Sequence, residues 1–176
     1  MWVKWVGLLA RLGLAAIWLI SGALKAADPV QTTVAVGAYQ LLPHSLVRPV
    51  ADTLPFVEIA IGLVLLAGIG VRAAAVASTL VLAVLIGAVA SAWARGLSID
   101  CGCFGGGGPV PDASWRDYAG EILRDVGFLA LALWLIRFPR TPFALGPGSR
   151  APRSADSQAD LAESAPDSPS IDRGRL

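Results

Sequence analysis

The chain is poor in the residues from which most enzyme and metal sites are built. Its 176 residues include one histidine and two cysteines, and its net charge at pH 7 is only +1. No Ser-His-Asp set and no metalloprotease motif is present, and the glycine run at residues 105–108 lacks the Lys-Ser/Thr pair of a phosphate-binding loop. The near-zero net charge, with no basic stretch before the C-terminal segment, argues against a nucleic-acid partner.

What the chain has in excess is apolar sequence. Hydrophobic residues make up 55% of it and the mean hydropathy is +0.64, which is too apolar for a soluble domain of this size. Four stretches are long enough to cross a bilayer: residues 6–24, 54–69, 73–94 and 118–138. Because only helices or closed barrels satisfy the backbone in lipid, and barrel-like alternation is missing, the sequence predicts an all-α, polytopic membrane protein with a bundle of four transmembrane helices.

Local signals mark the ends of these helices. Pro55 fits the first turn of the second helix, where a missing N–H costs nothing. Ser114 and Asp117 have the spacing of a capping box that opens the fourth helix. Residues 25–53 are expected to form a polar loop, and a tight turn at residues 68–72 is expected to join the second and third helices.

The composition changes after residue 138. Residues 139–176 are rich in Pro, Ser, Ala, Asp and Arg and contain almost no large apolar side chains, so they are expected to form a disordered cytoplasmic tail after a membrane domain at residues 1–138.

The N-terminus has the basic start and apolar stretch of a signal peptide. Cleavage after Ala27 would put Lys25 at the small-residue position of the cleavage site, so the segment is expected to remain as the first helix.

The Lys and Arg residues predict the orientation. One side of a four-span arrangement carries Lys4, Arg11, Arg72, Arg137, Arg140, Arg150 and Arg153, and the other carries Lys25, Arg48, Arg95 and Arg116. Because the richer side faces the cytoplasm, both termini are predicted to be cytoplasmic and the loop between the third and fourth helices extracytoplasmic. We therefore expect a multi-pass protein in the lipid bilayer of a bacterial cell (cytoplasmic) membrane.

The two cysteines lie in that loop, one residue apart, in Cys101-Gly102-Cys103-Phe104-Gly105. Gly102 lets the backbone bend sharply between them. Disulfides persist outside the cytoplasm, and a bridge across so small a ring is expected to be strained and easily reduced. Cys101 and Cys103 are therefore candidate catalytic residues for disulfide exchange, in a glycine-rich loop expected to be mobile and open to a protein partner.

Two other interpretations of the pair stay open. The cysteines can form a static bridge or remain inert thiols. A copper or zinc site is the other alternative, but His44 is the one imidazole available and soft metals usually take more ligands from one chain. We therefore assign no metal site.

Two charges are expected near the same extracytoplasmic face. Lys25 ends the first helix and Glu58 lies in the first turns of the second. A cation near the cysteines lowers the pKa of a thiol, and Glu58 can hold that cation or move a proton. Alternatively, Lys25 and Glu58 form an ion pair that locks two helices, or Lys25 extends to the lipid headgroups.

The fourth helix carries three charges on one face. Glu121, Arg124 and Asp125 are spaced i,i+3 and i,i+4. They can line a polar entry where a quinone headgroup binds, or they can satisfy one another inside the bundle.

Five segments carry a family resemblance. They are residues 11–14 (RLGL), 21–25 (SGALK), 39–43 (YQLLP), 54–58 (LPFVE) and 100–105 (DCGCFG). Their order and spacing resemble the MauE branch of the DoxX-like membrane proteins over about residues 5–138. The resemblance implies a four-helix membrane protein associated with redox processes. MauE is linked to maturation of the disulfide-rich small subunit of methylamine dehydrogenase, and other DoxX-like proteins to quinone-coupled sulfur oxidation.

Two functions from different classes follow. The first is a membrane thiol–disulfide oxidoreductase, in which Cys101 and Cys103 pass oxidising equivalents between an extracytoplasmic partner and a membrane electron carrier. The partner would be a thioredoxin-like or disulfide-containing protein, and a quinone is one candidate for the carrier. In the second, a non-catalytic assembly factor shields an exported redox protein. Cys101 and Cys103 would carry the chemistry of the first function, with Gly102, Phe104 and Gly105 as supporting residues.

Overall fold

The computed structural model describes residues 2–103, 105–111 and 113–145, which form five helices and one short hairpin. The elements are α1 (Trp2–Ala27), α2 (Pro29–Ala38), α3 (His44–Ala67), α4 (Val71–Ala94), β1 (Ile99–Asp100), β2 (Gly108–Pro109) and α5 (Trp115–Arg137). The two strands are antiparallel, and Asp100 pairs with Gly108. The described chain is thus mostly helical, as predicted.

Three helices, α1, α3 and α4, are long and apolar enough to cross a membrane. α5 has 23 residues but is not among them, because Glu121, Arg124 and Asp125 interrupt the apolar sequence of its first half. The prediction of four spans is therefore supported for three helices and stays a prediction for α5. The predicted capping box is confirmed: Ser114 and Asp117 exchange hydrogen bonds at the start of α5.

The segment between the first two spans is not the polar loop that the sequence predicted. It contains α2 and the first ten residues of α3, and Pro55 lies inside α3 instead of in its first turn. Pro29 occupies the first turn of α2, where Asp28 accepts a hydrogen bond from the N–H of Gln31. Proline at a helix start costs no hydrogen bond, and neighbouring helices let a membrane helix tolerate internal proline.

Close packing of α1 on α3 brings their charged residues together. A Cβ atom at Gly22 would lie 2.7 Å from Ile59 Cγ1 and 2.9 Å from the carbonyl oxygen of Pro55. A Cβ at Gly62 would lie 2.7 Å from Leu19 Cγ. Small residues at such contacts let helix backbones approach, and this approach sets the distance between Lys25 and the middle of α3.

The apolar core lies between α1, α3, α4 and α5. Leu14, Trp18, Leu65 and Leu135 are among its buried residues. Trp18 donates a hydrogen bond from Nε1 to Ser78 Oγ at 2.9 Å, so its one polar atom has a partner. A second cluster, which includes Tyr39, Val89, Tyr118 and both cysteines, lies toward the hairpin.

The predicted tail begins with residues that contact the helices. Arg11 is buried in α1 and donates a hydrogen bond from Nη1 to Thr141 Oγ1 at 3.0 Å. The N–H of Leu145 donates to the carbonyl oxygen of Ala67 at 3.4 Å. The remainder of the predicted tail, residues 146–176, lies outside the described residues.

Candidate functional site

The cysteine segment is folded against the helices. Cys101 and Cys103 are each only 7% exposed, and Gly102 between them is also buried. Gly102 has φ 67°, and a Cβ there would lie 3.0 Å from Ala35 Cβ on α2 and 3.1 Å from Gly107 Cα. The expectation of an open loop is therefore wrong for these three residues, because glycine backbone packs so closely on α2 that the cysteines are covered.

Side chains from α1, from β1 and from the residue after α2 hold the segment in place. The carbonyl oxygen of Cys103 accepts hydrogen bonds from Ser21 Oγ at 2.8 Å and from Lys25 Nζ at 3.3 Å. The hydroxyl of Tyr39 donates to the carbonyl oxygen of Cys101 at 3.2 Å. Asp100 accepts the N–H of Gly102 at 3.0 Å. The positions of both cysteines are thus fixed through their own backbone.

Lys25 links this segment to α3. Its Nζ lies 3.1 Å from each carboxylate oxygen of Glu58 and 2.6 Å from Ser21 Oγ. The side chain of Glu58 is fully buried, and that of Lys25 is 10% exposed. Both predicted residues therefore lie at the site, and the helix-locking ion pair is present. Lys25 contacts the backbone of Cys103, with no hydrogen bond to either sulfur atom.

The charged face of α5 belongs to the same site. Arg124 Nη2 donates a hydrogen bond to Cys101 Sγ at 3.5 Å, and Arg124 Nε donates to Asp125 Oδ1 at 3.1 Å. Glu121 Oε1 accepts the N–H of Cys101 at 3.4 Å. The sequence indicated no connection between these charges and the cysteines, whereas the structure brings the two groups together.

The two thiols differ in their acidity. The thiol of Cys103 donates a hydrogen bond to the sulfur of Cys101, and with the guanidinium of Arg124 this outweighs burial and lowers the pKa of Cys101 to about 6. The same hydrogen bond, together with burial, raises the pKa of Cys103 well above that of a free thiol. At neutral pH Cys101 is therefore a thiolate, the nucleophilic form, and Cys103 a protonated thiol.

Tyr39 keeps its proton in this setting. Burial and the negative charge of Cys101 raise the pKa of Tyr39 far above its ordinary value. Its hydroxyl can therefore donate to the carbonyl oxygen of Cys101 throughout the pH range in which the thiol titrates.

A cavity of about 530 Å³ adjoins the cysteines. Cys101, Cys103, Lys25 and Tyr39 lie at its polar end, and the rest of its wall consists mostly of aliphatic side chains from α2, α3 and α4. A mostly apolar cavity with a few polar groups at one end is typical of small-molecule sites. It can admit an apolar redox molecule to the two sulfur atoms.

One group of side chains has the spacing of metal ligands. Oxygen or sulfur atoms of Asp100, Cys101 and Glu121 all lie within 4.8 Å of one another. Cys103 and His44, the ligands that the sequence suggested, are not in this group, and His44 is exposed at the start of α3. The oxygens of Asp100 and Glu121 already accept backbone N–H groups, which accounts for their position.

The remaining predicted site residues are less central. Gly105 is exposed with φ 92°, and Phe104 lies outside the described residues.

The sequence predicted no role for Ser21 or Tyr118, which both contact the cysteine segment or the hairpin. Ser21 lies one turn before Lys25, a spacing that points to the same helix face. Tyr118 accepts the N–H of Ile99 at 3.0 Å and donates to the carbonyl oxygen of Leu97, contacts that only the folded hairpin creates.

Comparison with known proteins gives one match. The family model described as methylamine utilisation protein MauE matches residues 3–138. The match covers α1 from its second residue, all of the other helices and the cysteine site, and it ends one residue after α5. No curated protein and no solved structure matches the chain.

Proposed function

Because the chain belongs to the MauE family of membrane proteins, we propose that it is a thiol–disulfide protein that transfers two electrons from an exported protein to a membrane electron carrier. The family description associates the family with methylamine utilisation, and an exported protein of that metabolism is one candidate partner. The observation that carries the proposal is the set of hydrogen bonds to Cys101, whose sulfur accepts from Arg124 and from the thiol of Cys103.

The exchange with the partner proceeds through Cys101. A thiolate of the partner attacks the Cys101 sulfur of the oxidised pair, and Cys103 leaves and takes a proton. The second thiolate of the partner then attacks its own sulfur in the mixed disulfide and releases Cys101. Because a thiol of low pKa leaves faster, the acidity of Cys101 favours this release. The partner gains a disulfide, and the pair is left reduced, with Cys101 as a thiolate and Cys103 as a thiol.

A quinone is the electron acceptor that fits the second half of the cycle. The reduced pair gives two electrons to the quinone, the Cys103 thiol supplies one proton and water supplies the second, so that a disulfide and a quinol form. The aliphatic cavity beside both sulfur atoms supports this step, since an apolar carrier could enter it without crossing water.

We further propose four spans, with α5 as the fourth, both termini in the cytoplasm and the cysteines outside. In this arrangement Glu121, Arg124 and Asp125 lie inside the bundle, where intramembrane charges pair with one another and mark functional sites. Arg124 contacts Asp125, and Glu121 and Arg124 each contact Cys101. The asymmetry of Lys and Arg supports the orientation. Residues 1–138 would then be the membrane domain, followed by a tail at residues 139–176.

Trapping of the mixed disulfide tests the proposal. In Cys103→Ser the Cys101 thiolate can attack the disulfide of the oxidised partner, and no Cys103 thiol is left to displace the partner from the mixed disulfide, so a covalent adduct with an exported protein should accumulate. The adduct is detected on non-reducing gels and identified by mass spectrometry. Cys101→Ser is the matched control and should trap several-fold less, because burial still raises the pKa of Cys103 and favours its protonated form. If neither variant traps a protein and both support maturation of the partner like wild type, the non-catalytic assembly factor is the better account.

A further inference from the structure

A second cavity lies at the opposite end of the helices from the cysteines. It has a volume of about 990 Å³ and lies between the start of α1, the start of α4 and the end of α5. Lys4, Arg72, Arg137 and Arg140 line it, one from each of these three helices and one from the segment after α5. None of its lining residues is acidic.

These four cations have no carboxylate partner among the ion pairs of the described residues. Those pairs join Lys25 to Glu58, Arg48 to Asp52 and Arg124 to Asp125, all away from this cavity. The like charges therefore repel one another across the cavity unless an anion lies between them. Arg137 is positioned by the ring of Phe138, whose centroid is 5.1 Å from its guanidinium carbon.

The remainder of the cavity wall is apolar. Val3, Val71, Val76 and Phe138 are among these residues. The three valines belong to α1 and α4, which are candidates to cross the bilayer, and Phe138 directly follows α5. Contact with this apolar part of the wall would not contribute to the binding free energy of a water-soluble anion. An anionic phospholipid has a phosphate in its headgroup at the depth where membrane helices end, and acyl chains that extend from there into the bilayer, so it matches both parts of the wall.

From this geometry we infer that the cavity binds an anionic phospholipid. The phosphate lies among Lys4, Arg72, Arg137 and Arg140, and the acyl chains follow the apolar wall between α1 and α4. The site is independent of the redox function proposed for the cysteines, and it requires no particular orientation of the chain in the membrane.

Lipid retention by the full chain tests this inference. The protein is reconstituted in nanodiscs of equal parts phosphatidylglycerol and phosphatidylcholine, extracted in mild detergent, and its retained lipid is measured by mass spectrometry. We expect wild type to be enriched in phosphatidylglycerol. In the double variant Arg72→Gln/Arg137→Gln, the ratio of retained phosphatidylglycerol to phosphatidylcholine should fall roughly twentyfold or more. Each cation near a membrane surface raises the affinity for an anionic lipid by about fivefold, and the variant removes two of them.

The matched control removes the same charge elsewhere. Arg48→Gln/Arg116→Gln alters two exposed cations outside the cavity and should keep the enrichment. All four substituted residues are exposed, and size-exclusion profiles check that each variant is folded. Equal retention of the two lipids by wild type, or an equal loss in the control, would overturn the inference. Displacement of the lipid by millimolar inorganic phosphate would also overturn it, because the site would then hold a soluble anion.

Discussion

Two cations reach the cysteine pair, and each has a different contact. Arg124 Nη2 lies 3.5 Å from Cys101 Sγ, whereas Lys25 Nζ lies 3.3 Å from the carbonyl oxygen of Cys103 and 3.1 Å from Glu58. A hydrogen bond to the charged form of a group lowers the pKa of an acid more directly than a distant charge does. Arg124 therefore stabilises the Cys101 thiolate, and Lys25 mainly holds the backbone and compensates a buried carboxylate.

Removal of the Arg124 cation should make Cys101 less acidic. In the reduced protein in detergent, the rate of iodoacetamide reaction at Cys101 should rise with pH around a midpoint near 6, the pKa of that thiol. Arg124→Gln should move the midpoint upward and slow the reaction at pH 6 by roughly fivefold. Site-resolved mass spectrometry measures the reaction. Arg116→Gln, which removes an exposed cation at the start of α5, is the control, and identical curves for all three proteins would refute the role of Arg124.

Loss of Lys25 should destabilise the fold by way of Glu58. Lys25→Met leaves a fully buried carboxylate without its cation, a change that costs about 3 kcal/mol. Lys25→Met/Glu58→Met removes both charges and should recover most of this loss. Thermal unfolding in detergent compares the variants with wild type. If Lys25→Met is as stable as wild type, water and not Lys25 compensates the charge of the Glu58 carboxylate.

At the scale of elements, the sequence predicted the long apolar helices and the cap of α5, because those depend on local composition and spacing. It did not predict α2 or the early start of α3. Pro29 and Pro49 suggest a loop in isolation, yet one lies in a first helical turn and the other inside a helix that packs on α2. The hairpin was not predictable either, since its two-residue strands depend on Gly102 and Gly107 packing against α2.

The contact between α1 and α3 should depend on Gly22. Ala at this position would place a methyl group 2.7 Å from Ile59 Cγ1 and 2.9 Å from a backbone oxygen, so the helices must separate. We expect Gly22→Ala to cost about 1–3 kcal/mol in the free energy of unfolding. Gly13→Ala, on the same helix, meets no atom within 4 Å and should be neutral or stabilising. Denaturation of the two variants in detergent measures the difference, and equal stabilities would contradict this packing.

At the scale of the whole molecule, the site forms because distant segments converge on one end. Cys101 and Arg124, which are in contact, are 23 residues apart in the sequence, and Cys103 and Ser21 are 82 residues apart. The sequence identified the cysteines, Lys25 and Glu58 as residues of interest because each is an unusual residue in its segment. It could not show that Glu121, Arg124 and Asp125 join them, because that contact depends on how the hairpin folds onto α5.

The proposed topology requires opposite ends of α5 to lie on opposite sides of the membrane. Ser98→Cys and Arg140→Cys, each in a background with Cys101→Ser and Cys103→Ser, introduce single exposed thiols before and after this helix. A membrane-impermeant maleimide should label Ser98→Cys in intact cells and Arg140→Cys only after lysis. Labelling of both in intact cells would mean that α5 does not cross. The reverse pattern would place the cysteine pair in the cytoplasm.

The redox state of the pair in living cells tests the central claim most directly. Cells that express the full chain are quenched in acid, and Cys101 and Cys103 are assayed by differential alkylation and mass spectrometry during respiration and after respiration is stopped. If the pair passes electrons to a membrane carrier, most of it should be disulfide during respiration, and the dithiol should accumulate when the carrier can no longer be reoxidised. The same state under both conditions, whether dithiol or disulfide, would contradict the account.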